Sequence, residues 1–185
     1  MKAGVLALQG DFREHAAVFA DLGAAPIEVR TAEDLARVDC LAIPGGESTT
    51  ISKLARSAGL VEPIRERAHG GMPVLGTCAG MIVMAERVRD SEPLLRLVDI
   101  AVHRNAYGRQ VDSFEADVEV DGVEHPVRAV FIRAPIVEGI GPGVRVLAEH
   151  EGHPVVLEQG CLVVASFHPE LVGETRLHEY VLRKV

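Results

Sequence analysis

Tryptophan is absent, and aromatic residues make up only 4% of the 185-residue chain. The core must therefore be built from Val, Leu, Ile and Ala, which suits buried parallel strands. Cations are also in short supply: 19 Lys and Arg against 27 Asp and Glu give a net charge of −8. That argues against a general nucleic-acid binder, whose affinity rests on Lys and Arg neutralising phosphates. No apolar run approaches ~18 residues, so no membrane span is expected. The first eight residues lack the long apolar centre of a signal peptide and read as a strand. Three cysteines are too few for a disulfide framework, and no Cys-x-x-Cys spacing offers a metal site. A cytoplasmic chain of one domain, residues 1–185, is the expectation.

What is present is an alternation of short apolar runs and helical periodicity. Strands are expected at 4–8, 27–30 and 40–43. Phe12, Ala16, Phe19 and Ala20 mark a first helix, with Asp11 as its cap and Gly23 as its end. Residues 34–37 form a helical turn. Ile51, Leu54, Ala55 and Ala58 mark the inner face of a third helix, capped by Ser48 or Thr49; a fourth spans 61–69. Pro73 opens a strand that runs to Cys78. This alternation predicts a parallel sheet with helices on both faces. Past Arg87 the pattern becomes strand-rich (98–102, 114–120, 127–131, 144–149, 155–157 and 162–166), which predicts a partly antiparallel region before a closing helix at 174–182.

The chemistry centres on Gly76-Thr77-Cys78-Ala79-Gly80. A Gly-x-Cys-x-Gly between an apolar run and a helix is the cysteine form of a nucleophile elbow, and the first helical N–H groups favour a thiolate there. The alternative is a small residue tolerated in a tight turn. Cys40 and Cys161 lie in apolar strand runs and read as packing. A nucleophilic thiol needs a base. His15, His69 and His178 fall in polar helical stretches and read as solvated. His125, His150 and His153 sit near turns without an evident partner, and Arg104 discourages protonation of His103. His168 ends an apolar strand. Pro169 favours extended backbone before it, so Glu170 shares its face and could orient the ring. A strand-end His beside a surface carboxylate is the alternative. Pro44-Gly45-Gly46-Glu47-Ser48 follows the third strand, where parallel sheets place ligands. The N–H of Ala79 and that of Gly46 are candidate oxyanion donors. The loop lacks the Gly-Lys-Ser/Thr ending of a phosphate loop.

Pro-Gly-Gly-Glu-Ser, Gly-Thr-Cys-Ala-Gly and Phe-His-Pro-Glu, in that order, resemble the class I (triad) glutamine amidotransferases. Gly4 through Gly10, Arg13-Glu14-His15, Arg104-Asn105, the run from Tyr107 to Glu115, and Phe131-Ile132-Arg133-Ala134-Pro135 narrow the likeness to the glutaminase subunits of pyridoxal 5′-phosphate synthases. The resemblance implies a three-layer, flavodoxin-like α/β fold with a mostly parallel central sheet. It implies hydrolysis of L-glutamine to L-glutamate and ammonia through a thioester on Cys78, with His168 and Glu170 completing the triad. The family's glutamine site falls on Gly46, Glu47, Ser48, Arg104, Ile132 and Arg133. An arginine suits the substrate's α-carboxylate, and which one takes it stays open. The resemblance also implies a (βα)₈-barrel synthase subunit that receives the ammonia, low activity without it, and no cofactor or metal. A glutaminase of another pathway, a non-enzymatic domain on the same fold, and a stand-alone cysteine hydrolase are the competing readings.

Overall fold

The computed structural model describes residues 1–104 and 113–185. Expectations that rest on Asn105 and on residues 107–112 lie outside the described residues. The first half of the chain gives β1 (Lys2–Leu6), α1 (Phe12–Asp21), β2 (Ala25–Val29), α2 (Ala32–Ala36), β3 (Cys40–Ile43), α3 (Ser48–Ser57), α4 (Val61–His69), β4 (Val74–Thr77) and α5 (Ala79–Met84). The second half gives β5 (Ala85–Val88), β6 (Val98–His103), β7 (Phe114–Val118), β8 (Val127–Phe131), β9 (Ile136–Ile140), β10 (Arg145–His150), β11 (His153–Gln159) and β12 (Leu162–Ala165). A 3₁₀ turn at Glu170–Val172 and α6 (Arg176–Leu182) follow.

The main sheet has the order β10-β11-β12-β4-β3-β1-β2. From β12 to β2 neighbouring strands run parallel, and β10 and β11 add an antiparallel edge. The parallel part, read β2-β1-β3-β4-β12, has the flavodoxin-like doubly wound order. Apart from the edge strand β2, its strands are buried on both sides, so alternate residues enter different cores. Ala3, Val5, Cys40 and Ala42 pack with Phe19 of α1. Leu6, Leu41 and Ile43 pack with Ile51 of α3 and Ile64 of α4. Leu75 and Val163 meet Leu177 and Val181 of α6. Each fully buried large side chain contributes roughly 1.5–3 kcal/mol. Among the described residues, no helix is long and apolar enough to cross a membrane.

Several local expectations are corrected. In α3, Ile51 and Ala55 are buried, but Leu54 is 39% exposed and Ala58 faces solvent, so the inner face is narrower than the spacing indicated. The cap of α3 is Glu47, whose carboxylate accepts from the N–H groups of Thr49 and Thr50. Thr31 and Asp34 form a capping box that starts α2. Strands β5 and β9 were not anticipated; with β6 they make a separate three-stranded sheet. Cys161 is half-buried in the turn between β11 and β12 rather than inside a strand.

Strand order places the site. The loops after β1, β3, β4 and β12, adjacent strands of the parallel sheet, carry Gln9–Asp11, Gly45–Glu47, Cys78 and His168 respectively. Ligands of open α/β sheets bind beyond the carboxyl ends of the strands.

Candidate active site

Cys78 stands between β4 and α5 with φ 47° and ψ −101°. L-residues rarely adopt this backbone, and holding it costs on the order of 1–3 kcal/mol. The Cys78 N–H donates to the Ala165 carbonyl at 2.8 Å, which pins the turn to β12. The flanking glycines serve close approach; the positive φ falls on the cysteine itself. A Cβ on Gly80 would lie 2.1 Å from the Ile43 carbonyl oxygen, and one on Gly76 would lie 2.6 Å from the Met84 sulfur. Glycine at 80 therefore lets α5 sit against β3, and glycine at 76 lets α5 fold back onto β4, where the Gly80 backbone is the next neighbour at 2.8 Å. The thiol points toward the Ile132 carbonyl, 3.8 Å away.

His168 and Glu170 meet as expected, but by another route. Strand β12 ends at Ala165, Pro169 is helical (φ −69°, ψ −31°), and Glu170 opens the 3₁₀ turn. His168 Nδ1 lies 2.8 Å from Glu170 Oε1. Asp11, which does not cap α1 with its side chain, places Oδ2 3.3 Å from the same ring nitrogen. Burial disfavours the imidazolium, yet hydrogen bonds to Asp11, Cys78 and Glu170 prevail and raise the His168 pKa to about 12. The favoured state is thus an imidazolium beside the Cys78 sulfur. Asp11, His168 and Glu170 also present three ligand atoms within 4.8 Å of one another. A cation there would have to break the His168–Glu170 bond.

A cavity of about 380 Å³ opens over the thiol, within the range of small-molecule sites. Gly46, Glu47, Ser48, Ala79, Arg104, Ile132 and Arg133 line it together with Cys78 and His168, and Glu170 stands behind His168. Arg104 reaches Glu47 Oε1 at 3.3 Å. Burial opposes the Glu47 carboxylate, but bonds from Thr50 and Thr49 outweigh it and lower its pKa. Its oxygens are thereby committed to the α3 cap and to Arg104. Gln9, Asp11, Ile82 and Leu171 also line the cavity. Gln9 Oε1 accepts from the Glu47 N–H at 2.8 Å, and the Gly45 carbonyl accepts from the Asp11 N–H at 3.2 Å. The glycine loop is thus tied to the chain after β1. Gln9-Gly10-Asp11 directly after a strand was the signal for these contacts.

Two histidines read as solvated are wholly enclosed: His15 and His178 are both 0% exposed. His15 Nδ1 lies 2.7 Å from His178 Nε2, and His15 Nε2 lies 3.0 Å from Thr77 Oγ1. Burial, then the nearby His15, push the His178 pKa from 6.5 to about 3. Glu170, despite its burial, is held well below the usual carboxylate range, by His15 first and then by His168. The signs predict a stability optimum. Between pH 6.5 and 3 the unfolded chain takes up a proton that folded His178 refuses, so stability falls on acidification. Glu170 steepens that fall below its unfolded value of 4.5. The contribution of His168 is complete below 6.5 and is lost as pH rises toward 12. Urea midpoints should therefore peak near pH 6.5, and His178→Gln should flatten the acid side. A midpoint rising from pH 6.5 to 4.5 would contradict the burial of neutral His178.

Residues 5–185 match the SNO glutamine amidotransferase family. The chain is 53% identical to pyridoxal 5′-phosphate synthase subunit PdxT of Acidothermus cellulolyticus, covering 100% of this chain and 93% of that one. It is 56% identical to the protein of the same name in Streptomyces avermitilis, over 95% of this chain and 89% of that one. A solved structure described as a glutamine amidotransferase superposes with a TM-score of 0.94 at 47% identity, covering 98% and 97% of the two chains. The PurLQS structure from Thermotoga maritima shares the fold at 15% identity, with a TM-score of 0.75 over 99% and 95% of the chains.

Proposed function

The chain belongs to the SNO glutamine amidotransferase family, and from that premise we propose that it is the glutaminase subunit of a pyridoxal 5′-phosphate synthase. The observation that carries the reading is a thiol on a strained elbow beside a histidine whose other face meets a buried carboxylate at 2.8 Å. The relatives at 53% and 56% identity, both named as subunits of that synthase, favour it over a glutaminase of another pathway. A non-enzymatic domain would have no use for a thiol, a base and an orienting acid in one cavity.

The reaction runs in two halves. The Cys78 thiolate attacks the side-chain amide carbon of glutamine, and the amide oxygen becomes an oxyanion. The N–H of Ala79, first in α5 and free of a partner within the helix, and that of Gly46 receive this charge. His168 gives its proton to the departing nitrogen, ammonia leaves, and a glutamyl thioester remains. His168, now neutral, takes a proton from water, whose oxygen attacks the thioester; glutamate leaves and the thiolate returns. Glu170 holds the ring throughout. Ser48 and Ile132 bound the glutamine site, and Arg104 and Arg133 are its candidate donors to the α-carboxylate. Glu47 acts by holding Arg104 and the loop.

The ammonia passes to a barrel-shaped synthase subunit in the cytoplasm, by a route sheltered from water, because ammonium is no nucleophile. The chain acts as one domain over residues 1–185. The Gly45–Gly46 peptide is bonded through its carbonyl to the Asp11 N–H, and the next peptide through the Glu47 N–H to Gln9, so a partner pressing on the loop after β1 would re-aim the Gly46 N–H. This gives a physical basis for activity that depends on the partner. A diazo-ketone analogue of glutamine should alkylate Cys78 and spare Cys40 and Cys161, as read by peptide mass. Labelling spread over all three cysteines would contradict the assignment.

A further inference from the structure

The triad ends at Glu170, but its hydrogen bonding does not. The carboxylate is 3% exposed, and its Oε2 has no hydrogen-bond partner among the described residues. Thr77 Oγ1 and His15 Nε2 each lie 3.5 Å from Oε1, the same oxygen that meets His168. Behind them, His15 bonds Thr77 at 3.0 Å and His178 at 2.7 Å. Four elements contribute: α1 brings His15, β4 brings Thr77 one residue before the nucleophile, the 3₁₀ turn brings Glu170 and α6 brings His178.

The hydrogens in this chain can be placed. An ionised Glu170 only accepts, so the Thr77 hydroxyl donates to it. Thr77 oxygen then accepts from His15, which fixes a hydrogen on His15 Nε2. The short His15–His178 contact holds one further hydrogen, whichever ring carries it. Every defined donor therefore points toward Glu170.

That direction matters during turnover. His168 loses its positive charge each time it gives up a proton. The Nδ1–H still donates to Glu170, but the positive charge that balanced the buried carboxylate is gone, and without further donors the carboxylate could swing or take the Nδ1 proton itself. Thr77 and His15 do not take part in the proton transfers and hold Oε1 through both halves of the reaction. We propose that Thr77 and His15, the latter backed by His178, are positioning residues that keep Glu170 ionised and fixed while the charge on His168 changes.

This inference rests on the glutaminase reading and deepens it. The groups facing His168 are Cys78 at the elbow, Asp11 from the loop after β1 and Glu170. His15 of α1, with His178 of α6 beyond it, faces Glu170, and Arg104 and Arg133 lie across the cavity. With Glu170 less well held, His168 loses part of the support for its proton, so the alkaline limb of the pH profile should move to lower pH.

The test is ammonia release from glutamine by the chain assembled with its synthase subunit. Thr77→Val keeps the shape and removes the hydroxyl. It should lower kcat about tenfold or more, leave KM within about twofold and shift the alkaline limb down, whereas Thr77→Ser should restore all three. His15→Leu should lower kcat at least as far, and His15→Gln, whose amide N–H can reach the Nε2 position, should recover part of it. Melting curves and synthase binding check the fold, and the Thr77 pair decides if the His15 variants do not fold. Unchanged kcat and pH profile in Thr77→Val, or equal losses in the Val and Ser variants, would overturn the proposal. Absence of glutamine-dependent ammonia from the unaltered complex would overturn the glutaminase reading, and the proposal with it.

Discussion

Cys78→Ala should reduce glutamine hydrolysis by about 10⁴-fold or more, the scale of losing a covalent nucleophile. Neither of the other two cysteines can replace the thiol: Cys40 is sealed in the core, where burial raises its pKa to about 11, and Cys161 lies in a distant turn. The fold should survive, since alanine keeps the Cβ and the sulfur's contacts to the Ile132 carbonyl and to His168 are what is lost. Synthase binding should survive too, because Cys78 is 7% exposed and its side chain offers little surface to a partner. Steady-state ammonia release and co-elution with the synthase check both halves. Activity retained in Cys78→Ala would mean that the nucleophile is misassigned.

The second large effect belongs to the base. His168→Ala should approach the loss seen without the thiol, because the same ring activates sulfur, protonates ammonia and deprotonates water. Glu170→Gln should be roughly a hundredfold less severe, as expected for a residue that orients without moving a proton itself. The amide preserves the packing but not the charge that faces Nδ1 at 2.8 Å. Single-turnover measurements on the two variants give the order directly. A larger loss in Glu170→Gln than in His168→Ala would invert the roles.

The elbow, the glycine loop and the His-x-Glu pair were legible because each is a local pattern: strand end, tight turn, short spacing. What supports them was not. His15 and His178 sit 163 residues apart, on stretches whose periodicity is polar, and only the packing of α1 over β1 and β3 and of α6 over β4 brings them beneath the triad. Asp11 read as a helix cap; it stands at the N-cap position of α1, but its carboxylate faces His168 rather than the helix. Glu47 read as a substrate contact, and its side chain caps α3. In both cases a short polar residue next to a helix start had two local uses, and the tertiary partner decided between them. His168 and Glu170 were expected to share a face of extended chain; a 3₁₀ turn joins them instead, which shows that spacing alone does not fix backbone conformation. Strands β5 and β9 escaped notice because Ala85–Val88 and Ile136–Ile140 alternate weakly and carry charge.

Ammonia made from glutamine for a synthase subunit is the expected product of this chain. Ammonia release should be measured with glutamine, with and without that subunit. Glutamine-dependent release in the complex, falling sharply when the synthase is omitted, is the predicted result. No release in either case, or equal turnover with and without the subunit, would contradict the account: the first would remove the activity, the second its dependence on the partner.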